Sequence, residues 1–353
     1  MKFSVIMHTC REDVPRLPAP VLRMMLDAML CQDYQGDFEL IVVDLLWHTR
    51  HEQFRQMVQE SGARFPVLHI PDKPGPFKER KLLRISTPKN TGLMFARGTH
   101  VVFADDCQVL PENTLSLCAE WATLGHAATF SYERMFRETP QDVFYSRGID
   151  ERMQRLETPA GSSKVVSMHD ISYVGASVSM MPMSVIEAVN GWDEMFDGSR
   201  QLEDSDLVAR IFWSNLTDIA YDARIRIVEY ECGGGSAGYG DVVQVHRHIK
   251  CNPAYGQYIW GLGKVRANEL SEAQIEESIH RMQWKNCLRL HENGILCVPH
   301  MSECYRYDDN SGPEILAEIY KDARLQFNLA DVRRGCSWEN ALSILGVQKQ
   351  KEA

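Results

Sequence analysis

Apolar positions in the first hundred residues follow two alternating rhythms. Unbroken apolar runs occur in KFSVIMH, FELIVVDLL, FPVLHIP and HVVFADD, each short enough for one buried strand. Between the first two runs, Leu22, Met25, Leu26, Met29 and Leu30 recur at helical spacing, and EQFRQMVQESG and NTGLMFARG fill the later gaps. Gly62 and Pro71 supply the stop signals, a glycine closing a helix and a proline ending a strand. Strands that are apolar on both faces and alternate with helices predict an α/β fold with a mostly parallel sheet flanked by helices. Ligands of such sheets bind beyond the carboxyl ends of the strands.

From about Pro111 the alternation loosens. LPENTLSLCAEWATL reads as a helix, AATFSYERMF as a strand, ISYVGASVSMMP as a strand running into the helix MSVIEAVNG, and EDSDLVARIFWSN as a further helix. ARIRIVEYE and VVQVHRHIK then read as strands on either side of the glycine-rich CGGGSAGYGD. The last ninety or so residues carry mainly helical patterns, so the expected divisions are 1–110, 111–262 and a helical C-terminal extension, 263–353.

With 353 residues and 44% hydrophobic content, the chain has enough apolar surface for one large core or two fused ones. No apolar run reaches the roughly 18–20 residues that span a bilayer, and MKFSVIMHTCRED lacks a signal-peptide core, so no membrane span and a cytoplasmic location are expected. Ten cysteines without dense spacing fit reduced thiols. A formal charge of −10 argues against broad nucleic-acid binding. It draws attention to the segment Lys73, Lys78, Arg80, Lys81, Arg84 and Lys89, which is interrupted by only one acid, Glu79. Such a run fits a solvated face or an anion site.

Candidate chemistry centres on two acidic clusters. Asp105 and Asp106 end a buried strand, and adjacent carboxylates repel unless cations or donors compensate. One reading makes them a helix cap and a solvated charge. The other makes them hard-oxygen ligands for Mn2+ or Mg2+, which would in turn hold phosphate oxygens. Glu203, Asp204 and Asp206 precede the apolar helical positions Leu207, Ile211 and Phe212, where negative charge favours the helix dipole.

The order of these features resembles that of the family 2 glycosyltransferases with the GT-A fold, over roughly residues 1–260. The resemblance rests on Thr9 after the first strand, Asp44 ending the second, Lys89-Asn90-Thr91-Gly92, Asp105-Asp106, Asn190-Gly191-Trp192-Asp193-Glu194 and Glu203-Asp204. It implies an inverting transferase that moves a sugar from a nucleoside diphosphate sugar, UDP favoured, to an acceptor hydroxyl on a glycan or other molecule. Residues 1–110 would bind the nucleotide sugar and 111–262 the acceptor. By the same resemblance, Thr9, Arg11, Asp44, Arg84, Lys89 and Asp105 would contact the nucleotide. Asp105, Asp106 and His246 (or His248) would hold the metal, and Trp192 and Asp193 would face the acceptor. Asp204, beside Glu203, would be the general base that takes the acceptor proton.

Departures and alternatives qualify this picture. Cys107 stands where many relatives place a second aspartate, and cysteine is a poor magnesium ligand. Trp47 follows the second strand where small polar residues are usual, and it suits either stacking on a base or packing. A degenerate nucleotide-sugar-binding protein and a transferase acting on modified nucleic-acid bases are the competing functions. Gly233 to Gly238 formally satisfies the dinucleotide fingerprint, but a strand-like pattern follows it where a helix is required, so a substrate lid is the better expectation. His291, Cys297, His300 and Cys304 have soft-ligand chemistry without a recognised zinc spacing.

Overall fold

The computed structural model describes residues 1–11, 17–79, 82–167, 174–194, 197, 203–231 and 328–347, with the backbone of short strands between 250 and 306. The glycine-rich segment, His246, His248 and the His291/His300/Cys304 cluster lie outside the described residues. So does most of the extension expected to be helical.

The first half follows the expected alternation. Strands β1 (Lys2–Thr9), β2 (Asp37–Asp44), β3 (Val67–Ile70) and β4 (His100–Asp105) are connected through helices α1 (Val21–Leu30), α2 (Trp47–Ser61), the short α3 (Pro76–Glu79) and α4 (Ser86–Phe95). All four strands are parallel, in the order β3-β2-β1-β4. Helix α1 buries Leu22, Met25, Leu26 and Met29 as its spacing predicts, while Leu30 turns outward and Val21, Met24 and Ala28 complete the buried face. Burial of each such side chain contributes about 1.5–3 kcal/mol before entropy is counted. Gly62 closes α2 in the left-handed conformation, φ 69°. Helix α4 begins earlier than its apolar pattern suggested and includes Ser86 to Lys89.

The second half makes the sheet mixed rather than mostly parallel. Strand β9 (Ser179–Pro182) inserts antiparallel between β4 and β6 (Ala127–Phe136), and β10 (Ile219–Tyr230) pairs parallel with β6. The short strands β5 (Gln108–Val109), β7 (Tyr145–Ile149) and β8 (Ser163–Val165) are all antiparallel additions. Helices α5 (Thr114–Leu124), α6 (Arg152–Arg155), α7 (Met183–Ala188) and α8 (Glu203–Ser214) complete this half. Among the described residues of ISYVGASVSMMP, the last four form the strand.

Both sheet faces are covered. Phe3, Val5 and Met7 of β1 pack into one core with Leu26, Val42 and Val102, while Ile6 joins the other with Val43, Leu93, Phe103 and Trp192. Residues 328–347 return to this second core through α9 (Leu329–Arg334) and α10 (Ala341–Ile344), burying Leu329, Ala341 and Leu345. Gly92 lets α4 approach β1 closely, since a Cβ there would lie 2.5 Å from Ile6 Cγ2. No helix among the described residues is long and apolar enough to cross a membrane.

Candidate active site

Strand register gathers the candidate residues at one edge. In the β1–β2 pair Thr9 lies opposite Asp44, and in the β1–β4 pair His8 lies opposite Asp105. The carboxyl ends of three adjacent parallel strands therefore present Thr9, Asp44 and Asp105 side by side, where the order turns from β2 on one side of β1 to β4 on the other. Ligand crevices of open α/β sheets form at such a point.

The adjacent aspartates divide between two cations. Asp106 is buried and accepts from Thr9 Oγ1 at 3.0 Å and from Arg11 Nε at 3.2 Å. Asp105 keeps 30% of its side chain exposed; its Oδ1 lies 3.2 Å from Lys89 Nζ and 3.7 Å from His8 Nδ1. Burial, then the charge of Lys89, pulls His8 down to about 4, so its imidazole is neutral at physiological pH. Lys89 sits on α4 with 1% of its side chain exposed and its ammonium 4.1 Å from the centre of the Trp192 ring. Cation–π attraction and the Asp105 carboxylate together offset the cost of burying that charge.

Helix α8 opens with Glu203 and Asp204. Glu203 is buried, and burial followed by the neighbouring Asp204 charge pushes it up to about 8, with Lys89 opposing and Asp105 adding to the rise. Those electrostatic partners bring the two acidic clusters, far apart in sequence, into one field. Asp204 has space only because residue 175 is glycine: a Cβ there would lie 2.4 Å from Asp204 Oδ2. The Asp204 carbonyl also accepts from Ala176 N at 3.3 Å.

Asn90 ties the remaining motifs together. Its Nδ2 donates to Trp192 O at 2.8 Å and to Glu194 Oε1 at 2.9 Å, and its Oδ1 accepts from Trp192 N at 2.8 Å. Lys73 Nζ donates to the other Glu194 oxygen at 2.7 Å. Arg210 of α8 donates to the carbonyls of Val189 and Gly191 at 2.6 and 2.8 Å. Asp197 accepts from the amides of Ile85, Ser86 and Thr87 at 2.7–3.0 Å, capping α4 from a distant segment. Burial lifts Asp197 to about 6 against those donors.

Several sequence expectations meet a different environment. Trp192, expected beside the acceptor, is 1% exposed and packs edge-on against Phe103 at 5.2 Å; Asn90 holds its backbone so that the ring turns into the core. Asp193 is buried as well. Arg84, expected at the diphosphate, donates to Asp72 Oδ2 at 2.6 Å and to Leu82 O at 2.8 Å. Trp47 packs rather than standing in the crevice, stacking on His51 at 4.2 Å and donating to His69 O at 3.0 Å.

Asp44 is fully buried, and Arg50 donates to both of its oxygens at 2.7 Å, with Leu46 N and His69 Nε2 completing its set. Burial opposes its ionisation, but hydrogen bonds from His69 and Arg50 outweigh that and leave its pKa below the ordinary value. His8, Arg50, His69 and Asp197 escaped the sequence reading because no local spacing links any of them to its partner. Asn90 and Glu194 lay inside recognised motifs, yet nothing in either motif showed that the two touch.

The donor set suits a hard divalent cation at Asp105, whose carboxylate is partly open at the crevice; Asp106 is committed to Thr9 and Arg11. No group of three or more His, Cys, Asp or Glu side chains placed to hold a metal occurs among the described residues. One carboxylate suffices where a cation takes its other ligands from phosphate and water.

No family model matches this chain, and neither does any curated protein. Among solved structures it is similar to residues 1–349 of S. aureus TarS in complex with UDP-GlcNAc, at 16% identity and a TM-score of 0.48, covering 67% of this chain and 60% of that one. It is also similar to the mannosyltransferase PcManGT from Pyrobaculum calidifontis in complex with GDP-Man and Mn2+, at 16% identity and a TM-score of 0.43, over 64% of this chain and 56% of that one. GalNAc-T7 with UDP, GalNAc and Mn2+ matches at 9% identity and a TM-score of 0.44, over 65% and 43%. The chain thus spans about 60% or less of the length of each.

Proposed function

We propose that this protein is an inverting glycosyltransferase that uses a nucleoside diphosphate sugar, with UDP as the favoured nucleotide, and transfers the sugar to an acceptor hydroxyl. The observation that carries this reading is the meeting of two carboxylate groups around one buried lysine: Asp105 at the end of β4, and Glu203 with Asp204 at the start of α8, about Lys89.

Lys89 is the cation placed to neutralise diphosphate charge, exchanging part of its contact with Asp105 for phosphate oxygens. Asp105 would hold Mn2+ or Mg2+, which when bound would stabilise the negative charge of the departing diphosphate. Thr9 and Arg11 fix Asp106, so these three side chains keep their places when a nucleotide enters. Arg50, whose Nε and Nη2 donate to Asp44 and whose Nη1 donates to Arg11 O, holds the Asp44 carboxylate in place at the position assigned to base recognition. Asp204 is the general base: it takes the acceptor hydroxyl proton as that oxygen bonds to the anomeric carbon and the bond from that carbon to the diphosphate oxygen breaks. Protonated Glu203 beside it lowers the repulsion that two adjacent carboxylates would otherwise impose.

A thermal-shift screen of nucleoside diphosphate sugars with and without Mn2+ tests donor and metal together, because a ligand bound only to the native state raises its melting temperature. Asp204→Asn should abolish transfer while leaving the donor-induced shift intact. Undiminished turnover in that variant removes Asp204 from the mechanism, and the absence of a shift with every donor removes the transferase reading.

A further inference from the structure

The C-terminal segment 328–347 packs against the back of the proposed site, and its bonds fall on the backbone that places the site. Leu329 N donates to Asn190 Oδ1 at 2.8 Å, and the buried Leu329 side chain fills the space beside Gly191, where a Cβ would come within 3.2 Å of it. Arg333 Nε donates to Glu187 Oε1 of α7 at 2.6 Å, and Arg333 Nη1 reaches the carbonyls of Leu93 and Ala96 at 2.5 and 2.8 Å. Trp338 Nε1 donates to Phe95 O at 2.7 Å, with Arg97 stacked 3.7 Å over its ring.

These acceptors have a common character. Leu93 and Phe95 lie in the last turn of α4, the helix that carries Lys89 and Asn90, and Ala96 caps it; the last carbonyls of a helix lack the amide partners of its interior, although Leu93 O also accepts from Ala96 N at 3.3 Å. Glu187 lies in the last turn of α7, which leads into Asn190 and Gly191, two consecutive residues at φ 64° and 69°. Left-handed backbone at a non-glycine residue is costly and persists only where its surroundings hold it. Asn90 and Arg210 grip that turn from inside the molecule, and the segment grips it from outside.

We propose that Arg333 is a positioning residue. By joining the end of α4 to the end of α7, it holds Trp192 against Lys89 and so holds the Lys89 ammonium toward the crevice. The assignment of a donor contact to Lys89 rests on the transferase reading; the mechanical coupling does not.

Hydrogen exchange on the full chain tests the coupling without substrate. Arg333→Met should accelerate exchange in the 189–194 segment about tenfold, the effect of losing charge-assisted bonds to buried acceptors, while β1 and β2 keep their protection. Arg333→Lys, which keeps the charge for Glu187, should recover part of the protection. Asn190→Gly keeps the left-handed backbone but deletes the acceptor for Leu329 N, and should accelerate the same segment even if Arg333→Met folds poorly. In transfer assays Arg333→Met should raise the donor KM about tenfold and change kcat less than about twofold, as loss of uniform donor binding does. Unchanged exchange in 189–194, or acceleration spread evenly over the sheet, overturns the proposal. If no nucleotide sugar binds the unaltered chain, the transferase reading falls and the exchange result still decides the role of Arg333.

Discussion

Replacing Asn90 gives the sharpest test of how the site is assembled. In Asn90→Ala the Trp192 N–H, the Trp192 carbonyl and Glu194 Oε1 each lose a partner, and all belong to residues that are buried in the fold. At roughly 1–1.5 kcal/mol for each bond, and more where a buried group stays unpaired, the loss is about 3–5 kcal/mol. That is a large fraction of the typical 5–15 kcal/mol total, so the melting temperature should fall by roughly 10 °C.

Asn90→Asp is nearly isosteric, yet it sets a carboxylate against Glu194 Oε1 and the Trp192 carbonyl, both acceptors. With Lys73 the cation on the far Glu194 oxygen, the aspartate variant should be the less stable of the two at pH 7. Its acid binds its proton more tightly folded than unfolded, so its stability should recover as pH falls toward 4. Urea titration of both variants at pH 5 and pH 8 provides the measurement. An Asn90→Asp chain as stable as the parent at pH 8 would mean that the amide does not donate to Glu194, and the bridge between the two motifs would be wrongly built.

Three further outcomes follow from the same geometry. Gly92→Ala should destabilise by about 1–3 kcal/mol despite the better helix propensity of alanine, because Ile6 is buried and β-branched and cannot cheaply make room for a Cβ only 2.5 Å away; a more stable variant in thermal melts would refute the close approach of α4 to β1. Burial and the neighbouring Asp204 charge push the Glu203 carboxyl up to about 8, above the ordinary carboxylate range, so the native chain binds more protons than the unfolded one between the two, and stability falls as pH rises through that window. Glu203→Gln should flatten that slope and gain on the parent at pH 8, a comparison that denaturant midpoints across pH 5–9 would settle. Arg50→Met should strip Asp44 of its bidentate partner and leave a buried carboxylate with fewer donors, so the binding of a nucleotide base should weaken about tenfold or more; unaltered UDP affinity by calorimetry would take Asp44 and Arg50 out of base recognition.

What could be seen in the sequence was whatever a short window encodes. The strands β1, β2 and β4 are buried on both faces, so their apolar runs are unbroken, and polar residues at their carboxyl ends stand out as site candidates. The mixed second half was harder because β9 contributes four residues whose direction is set by β4 and β6, not by its own pattern. The surroundings of Trp192 were hidden for a related reason. The resemblance implies an acceptor wall at this position, and only the Asn90 bonds, 102 positions away in sequence, turn that ring inward over Lys89. Asp44 could be found as a strand end, but its partners Arg50 and His69 come from α2 and β3 and share no spacing with it.

The aspartate pair shows how three-dimensional context divides roles that composition leaves equal. Successive residues at a strand end point to opposite sides. Asp106 meets Arg11 and Thr9 of the β1 loop, and Asp105 meets Lys89 of α4 and the neutral His8. Each carboxylate thus has its own cation, which removes the repulsion that made the pair conspicuous. The two cations differ in what they can do next. Arg11 also donates its backbone N–H to Thr9 Oγ1 at 3.1 Å, closing a buried ring of bonds with Asp106 that a ligand would have to break. Lys89 faces the partly exposed carboxylate and the α8 acids, so an incoming phosphate can take over its charge while a metal takes over Asp105. On this argument Asp106→Asn should act mainly on stability and Asp105→Asn mainly on donor binding. Equal loss of donor affinity with no loss of stability in both would return the pair to a shared metal site, with Cys107 irrelevant to the division.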